Sequence, residues 1–233
     1  MDQLEMKIMT GQKAAETLVK SGMKVGLGTG STAIHVIRHI GALMKEGKLK
    51  DILAVPTSFQ STIECENLGI PIYTLNSKEI GGHLDLTIDG ADEVDPNHNC
   101  VKGGGGALLL EKIVAYASSS YAIVVDESKT VSNLAMNFPL PIEVIPLARI
   151  YVTLALEKLN AEVKLRDAVR KAGPVITEHA NVLLDVRFRS PVDPAKWERE
   201  LNHIPGVVEN GFFTMLRPKV FIGRSDGTVE IRE

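Results

Sequence analysis

Residues 87–106, TIDGADEVDPNHNCVKGGGG, concentrate side chains that can carry out acid–base chemistry and bind charged ligands. Four carboxylates fall within seven positions, and a lysine and four glycines follow them. Carboxylates that share one buried site resist ionising together, so such a cluster is costly unless each charge has its own partners. A cation site, a solvated turn and a catalytic cleft all use such residues. The carboxylates are Asp89, Asp92, Glu93 and Asp95.

The spacing of these carboxylates does not match an EF-hand. A calcium loop needs oxygen ligands at positions 1, 3 and 5 and a glycine at position 6, whereas the aspartates counted from Asp89 fall at positions 1, 4 and 7. Asp95-Pro96-Asn97 is a typical turn sequence and predicts a solvated turn residue at Asp95. Asp89 and Asp92 instead follow a predicted strand, and we expect them to face a cleft at its end.

The stretch GLGTGST, which includes Gly28 and Gly30, lies between a predicted strand and a predicted helix, where open α/β sheets bind ligands. It satisfies the G-x-G-x-x-G/A pattern of dinucleotide-binding folds, but no acidic residue ends the next strand to bind a ribose. A Walker A loop is excluded because no G-K-S/T follows. The loop suits a small phosphate or carboxylate at a helix N-terminus. Alternatively, Ser31 or Thr32 only caps that helix.

The four glycines at 103–106 precede another predicted helix. Consecutive glycines are entropically costly and imply unusual backbone angles or a close approach to the backbone, although a plain flexible loop is the alternative. Glu111 lies early in the helix, where Glu111 and Lys112 can simply form its solvent-facing side. The leucines at 108–110 are apolar, however, and a carboxylate beside an apolar lining can serve as a general base.

Composition restricts the classes of function. The chain has 233 residues and a formal net charge of −3, which provides no electrostatic footprint for nucleic acid or an anionic membrane surface. The first residues lack the apolar core typical of a signal peptide, and no apolar run in the sequence is long enough to span a membrane. Cys65 and Cys100 are too few for a disulfide framework. We therefore expect a cytoplasmic protein without nucleic-acid or membrane partners.

Metal binding has little support in the sequence. His35 and His39 lie four positions apart on a predicted helix, but no third ligand accompanies them. No Ser-His-Asp, Cys-His or G-x-S-x-G arrangement is present either. We expect neither a metal nor an organic cofactor.

Strand and helix patterns alternate through the first half of the chain, which predicts a Rossmann-like α/β core with a parallel sheet. The first helix is expected behind Thr10 as its cap and should end near Gly22, and the second should end at Gly47. The other predicted elements are strands at 24–28, 51–58, 71–75, 85–91 and 121–127, and helices at 59–69 and 107–117.

The pattern changes after NFPLPIE, where three nearby prolines mark a boundary. The following order β-α-β-β-α-β predicts an inserted ferredoxin-like α+β lobe at 139–210. Strands at 219–224 and 228–231 then return to the first domain. We therefore predict an α/β core of residues 1–138 and 211–233.

Several motifs occur together in the order and spacing of one known family. They are GLGTGSTA, PTSFQST, IDGADEVD, KGGGGALLLEKI and VVDESK, and the likeness continues through FPLPIEVIP, GPVITEHANVLLDV and IPGVVENGFF. The sequence thus resembles ribose-5-phosphate isomerase, type A, over nearly its whole length. The resemblance implies interconversion of D-ribose 5-phosphate and D-ribulose 5-phosphate in the non-oxidative pentose phosphate pathway. It also implies no cofactor, a homodimer or homotetramer, and an α/β core with an inserted ferredoxin-like lobe.

The resemblance assigns roles to individual residues. It implies that Glu111 is the base that moves a proton between two carbons and that Lys102 stabilises the enediolate oxygen. Asp89 and Asp92 then hold hydroxyls and assist ring opening. The implied substrate-binding residues are Thr29, Gly30, Ser31, Thr32, Asp89, Gly90, Ala91, Asp92, Lys102, Gly103, Gly104, Gly105 and Lys129. A further family lysine corresponds to Lys7 or Lys13.

Two other functions are alternatives to the isomerase. An amino-sugar-phosphate deaminase or a CoA transferase can use a related fold, but the histidine motifs expected of the deaminase are missing. A non-enzymatic sugar-phosphate sensor usually follows a DNA-binding helix-turn-helix, for which the residues before position 24 leave no room.

Overall fold

The computed structural model describes all residues from 1 to 233 and divides them into two compact units. The predicted lobe at 139–210 lies entirely in the second unit, and its bounds as a domain stay a prediction. The first unit consists of Met1–Ala91, Leu110–Lys129 and Leu216–Glu233, and the second of Asp92–Leu109 and Thr130–Met215.

Six α-helices, two short 3-10 helices and thirteen strands form the two units. The helices are α1 (Gln3–Leu18), α2 (Ala33–Lys45), α3 (Phe59–Leu68), α4 (Leu108–Tyr116), α5 (Arg149–Glu157) and α6 (Pro194–Asn202). The strands are β1 (Lys24–Leu27), β2 (Leu53–Pro56), β3 (Leu84–Asp89), β4 (Glu93–Val94), β5 (Cys100–Val101), β6 (Ser118–Asp126), β7 (Leu140–Val144), β8 (Ala161–Leu165), β9 (Val182–Phe188), β10 (Val207–Asn210), β11 (Phe212–Phe213), β12 (Lys219–Gly223) and β13 (Val229–Arg232).

The first unit is built on a six-stranded sheet with the order β13-β12-β6-β3-β1-β2. All neighbouring strands from β12 to β2 are parallel, and only β13 pairs antiparallel at the edge. The chain passes from β1 outward to β2 and then returns to β3 on the other side of β1. This reversal creates a switch point between the carboxyl ends of β1 and β3, which is where open α/β sheets bind ligands.

Apolar side chains hold this sheet and its helices together, as expected for strands buried on both faces. The strand interiors and the inner faces of α1 and α2 form one buried cluster. It includes Ala14, Ala15, Val25, Leu27, Ile37, Ile40, Ile88, Val124 and Phe221.

Two predictions for this unit were wrong. The first helix begins at Gln3, capped by Asp2 in a capping box with Glu5, so Thr10 lies inside the helix and its hydroxyl donates to the Met6 carbonyl at 2.7 Å. The predicted strand at 71–75 is reduced to one isolated bridge, because the sheet ends at β2 and Pro71 has no N–H to extend the ladder.

The second unit contains the predicted β-α-β-β-α-β order, formed by β7, α5, β8, β9, α6 and β10. These four strands make an antiparallel sheet with the order β10-β7-β9-β8, and α5 and α6 contribute to its apolar cluster. A small sheet with the order β11-β5-β4 completes the unit. This confirms a parallel α/β sheet core combined with a ferredoxin-like α+β fold. None of the helices combines the length and the apolar character that crossing a bilayer requires.

Cys65 should be chemically inert in the folded protein. It is fully buried in α3, and burial, followed by the nearby charges of Glu64 and Glu66, raises the pKa of its thiol to about 12. Because the thiolate is the reactive form, about one molecule in ten thousand carries it at pH 8. We expect iodoacetamide to modify Cys65 only after denaturation, as measured by peptide mass mapping. Rapid labelling of Cys65 in the native protein would contradict this burial.

Candidate active site

Asp89 lies at the switch point of the first unit, at the carboxyl end of β3. Its Oδ1 accepts hydrogen bonds from the Thr29 N–H at 2.9 Å and the Gly90 N–H at 2.7 Å. A Cβ on Gly28 would lie 2.1 Å from this oxygen, so only glycine leaves room for the carboxylate there. The first glycine loop, residues 26–32, is therefore closely complementary in shape to Asp89.

Hydroxyl groups from the end of β2 support the same loop. The Thr29 hydroxyl donates to Ser58 Oγ at 2.6 Å and lies 2.8 Å from Thr57 Oγ1. The Gly30 N–H donates to Oε1 of Gln60 at 2.9 Å. The Pro-Thr-Ser stretch, which lacks the acidic residue of a dinucleotide site, thus fixes the position of Thr29. Gln60 lies in the PTSFQST motif, but the sequence did not predict its contact with the Gly30 N–H.

The N-terminus of α2 continues this loop. Thr32 occupies the cap position but makes no side-chain cap hydrogen bond, and Ser31 is exposed. The interpretation of Thr32 as a mere helix cap is therefore wrong. Gly30 has a φ of +104°, which favours glycine. The positive end of the helix dipole and nearby hydroxyls make this loop suitable for an anion.

Lys129 follows the carboxyl end of β6, in a short 3-10 helix at Glu127–Lys129. The buried carboxylate of Asp126 accepts the Ser128 N–H at 3.0 Å and lies 3.9 Å from Lys7 Nζ. Of the two N-terminal lysines, Lys7 therefore lies at this edge of the sheet, whereas Lys13 is exposed on α1. Asp126, whose carboxylate pairs with Lys7 at this edge, was not predicted as a site residue from the sequence.

Glu111 is buried in the first turn of α4, with 3% of its surface exposed. Lys112 is also buried, at 4%, so the interpretation of this pair as a solvent-facing side of the helix is wrong. The helix packs closely on the sheet: a Cβ on Gly26 of β1 would lie 2.6 Å from Val114. The carboxylate of Glu111 is thus held in a water-poor setting.

Asp92 and Lys102 lie in the second unit, where Asp92 directly precedes β4 and Lys102 directly follows β5. The Asp92 N–H donates to the Val101 carbonyl at 2.8 Å, and the Lys102 N–H donates to the Gly211 carbonyl at 2.9 Å. Lys102 is 2% exposed, and its ammonium lies 5.3 Å from the ring centroid of Phe213. A cation over an aromatic face is stabilised there.

The second glycine loop, residues 103–106, has a defined structure, so its interpretation as a plain flexible loop is wrong. Gly103 and Gly106 have φ values of +102° and +84°, which favour glycine. A Cβ on Gly104 would lie 2.4 Å from an Asp92 oxygen, and the Gly104 N–H donates to Asp92 Oδ2 at 2.7 Å. This loop and Asp92 fit each other, as the first glycine loop fits Asp89.

The other two carboxylates of the cluster have structural partners. Glu93 is 2% exposed and accepts backbone N–H bonds from Ala135, Asn137 and Phe138 at 2.6 to 3.1 Å. Asp95 forms the predicted turn, with bonds from two N–H groups and the side chain of Asn99. It is buried, however, so the prediction of a solvated residue was wrong. Separate sets of donors allow four neighbouring carboxylates to be tolerated.

A family model supports the resemblance noted in the sequence. The model described as ribose 5-phosphate isomerase A (phosphoriboisomerase A) matches residues 53–227. This chain belongs to that family. Ribose-5-phosphate isomerase A of Treponema denticola is 52% identical and is covered over 99% of both chains.

Solved structures of ribose-5-phosphate isomerases have the same fold. The isomerase A of Methanocaldococcus jannaschii aligns with a TM-score of 0.91, 41% identity and 98% coverage of both chains. A D-ribose-5-phosphate isomerase in complex with phospho-erythronic acid aligns with a TM-score of 0.95, 41% identity and full coverage of both chains. The α/β core with a ferredoxin-like part is thus the fold of ribose-5-phosphate isomerase A.

Proposed function

We propose that this chain interconverts D-ribose 5-phosphate and D-ribulose 5-phosphate through an enediolate, as a step of the non-oxidative pentose phosphate pathway. Membership of the ribose 5-phosphate isomerase A family carries the proposal. The ligand of one solved relative, phospho-erythronic acid, supports it further. That ligand combines a phosphate with a carboxylate, which resembles a planar, negatively charged enediolate. No observation favours the deaminase or the sensor.

Glu111 is the proposed general base. Isomerisation requires a proton to leave C2 of the open-chain aldose and to arrive at C1, while the O2 proton is transferred to O1. One carboxylate can take the first proton and return it to the neighbouring carbon. Glu111 is suited to this role because it is buried and lies on a helix, which limits its motion.

Lys102 is the proposed stabiliser of the enediolate oxygen, since a positioned cation in a water-poor site favours developing negative charge. Asp89 and Asp92 are proposed to hold substrate hydroxyls and to assist ring opening. Each of these aspartates is fixed by a backbone N–H of its glycine loop, which supports a positioning role. The Gly90, Ala91, Gly103, Gly104 and Gly105 backbone completes the proposed substrate contacts.

The loop from Thr29 to Thr32 and the side chain of Lys129 are the proposed phosphate site. The hydroxyls and the positive end of the α2 dipole favour an anion there. This scheme uses no metal and no organic cofactor. From the family resemblance we further propose a homodimer or homotetramer located in the cytoplasm.

Proton exchange in deuterated water tests the proposal directly. We expect ribose 5-phosphate to be converted to ribulose 5-phosphate, with deuterium incorporated at C1 of the product. Release of ammonia from an amino-sugar phosphate would instead identify a deaminase. Binding of ribose 5-phosphate without exchange or turnover would identify a sensor.

Replacing both Ser31 and Thr32 by Ala should weaken phosphate binding. The double variant loses hydroxyl donors that contact the same group in the ground state and the transition state, so KM should rise about tenfold or more while kcat changes less than about threefold. Thr17→Ala, which removes an exposed hydroxyl of α1, is the control. A large loss of kcat at unchanged KM in steady-state assays would show that the phosphate binds elsewhere.

A further inference from the structure

Arg166 follows β8 in the second unit and has a fixed backbone. Its N–H donates to the Leu183 carbonyl at 2.9 Å, and its own carbonyl accepts the Val175 N–H at 2.9 Å. The side chain is largely buried, with 14% of its surface exposed. A long cationic side chain held at its base and covered along its length has few conformations left.

The guanidinium of Arg166 contacts the second glycine loop. Nη1 donates to the Gly103 carbonyl at 2.9 Å and to the Gly104 carbonyl at 3.1 Å. On its other edge, Nε donates to Asp185 Oδ2 at 2.9 Å, and Nη2 donates to Asp185 Oδ1. This two-point pairing with a carboxylate fixes the plane of the guanidinium, which a lysine ammonium cannot reproduce.

These bonds restrain two successive peptide groups of the loop. The peptide between Gly103 and Gly104 is held at both edges, because its carbonyl accepts from Arg166 and its N–H donates to Asp92. In the next peptide, the Gly104 carbonyl points at Arg166. Since no peptide bond of the chain is cis, the exposed Gly105 N–H points to the opposite side.

We propose that Arg166, oriented by Asp185, is a positioning residue for the isomerase reaction. It sets the direction of the Gly105 N–H and the place of the Asp92 carboxylate before substrate binds. Donors that are already oriented need no rearrangement when charge develops on the substrate. This inference rests on the proposed function, because the glycine loop is taken to contact the sugar phosphate.

The first test measures the geometry of the second glycine loop independently of enzymatic activity. Protein labelled with ¹⁵N-glycine is compared for the wild type, Arg166→Ala, Arg166→Lys and the control Arg187→Ala, which removes a neighbouring and more exposed arginine. The amide signals of Gly104 and Gly105 should shift in both Arg166 variants and stay in place in the control. Unchanged glycine signals in either folded Arg166 variant would overturn the inference.

The second test is chemical rescue of the reaction. Arg166→Ala should lower kcat by about 10- to 100-fold, as expected when reacting groups are slightly misplaced. A surface cavity of about 280 Å³ borders Arg166, Asp185 and Arg187, so added guanidinium ion can enter the vacated place. Guanidinium should restore at least part of kcat, whereas urea, which has the same shape but no charge, should not.

The outcomes separate this inference from the proposed function. A loss of kcat that guanidinium does not restore, together with a lowered melting temperature, would show that Arg166 only stabilises the fold. A wild-type protein that does not isomerise ribose 5-phosphate would overturn the proposed function. In that case the glycine amide signals still support or overturn the positioning by Arg166.

Discussion

Glu111→Gln should abolish most isomerisation without unfolding the protein. The amide is nearly isosteric with the carboxylate, so the buried helix α4 should keep its packing, yet the amide cannot accept the C2 proton. A positioned general base contributes about 10²- to 10⁴-fold to a rate, so kcat should fall by at least that order. Ribose 5-phosphate should bind with an affinity changed by less than about tenfold, or roughly 1.4 kcal/mol.

Coupled measurements of turnover, deuterium exchange and substrate binding check this expectation. Exchange at C1 and C2 should disappear together with turnover, because the same carboxylate performs both proton transfers. A substitution of Lys112, the next residue of α4, is not a suitable control, because Lys112 is buried as well. Glu143→Gln is better matched, since Glu143 is a buried glutamate of β7 with no proposed role in the reaction. Near-normal turnover of Glu111→Gln would show that Glu111 is not the base, and Asp89 or Asp92 would then be the candidate.

Much of the fold could be predicted because each element carries its own local pattern. The parallel core shows apolar strand runs separated by helices, and Gly69 ends α3 in the left-handed conformation, with a φ of +68°. Errors arose where two local signals competed. Asp2 and Thr10 are both good cap residues, but only Asp2 has a glutamate three positions later to complete a capping box.

The site was harder to predict, because its decisive contacts join residues that are distant in the chain. Glu93 follows an acidic residue and Glu111 follows an apolar one. No spacing rule shows that Glu93 binds backbone N–H groups of residues 135–138. Arg166 lies 63 positions from Gly103 and belongs to no motif. Such pairings depend on how strands are ordered in a sheet, which local periodicity does not encode.

Glu93→Gln should have the opposite effect to Glu111→Gln, with a large loss of stability and little loss of chemistry. Both carboxylate oxygens of Glu93 accept backbone N–H bonds, at 2.6 Å from Ala135 and at 3.1 and 2.7 Å from Asn137 and Phe138. A glutamine offers one oxygen and turns an NH₂ group toward at least one of these donors. Leaving buried donors unsatisfied and removing the charge should cost about 2–5 kcal/mol.

Thermal unfolding followed by circular dichroism measures this cost, and the melting temperature of Glu93→Gln should fall by roughly 5–15 °C. Glu143→Gln is again the control, because only Oε1 of Glu143 accepts hydrogen bonds, from Thr177 and Asn181, and the new NH₂ can replace the unbonded Oε2. Its loss should be smaller than that of Glu93→Gln, because both hydrogen bonds to Oε1 are kept. At 25 °C, kcat per folded Glu93→Gln molecule should remain within about threefold of the wild type, since Glu93 has no proposed role in proton transfer. An unchanged melting temperature with a large loss of kcat would place Glu93 in the chemistry and would require the roles of the carboxylates in the DGADEVD stretch to be reassigned.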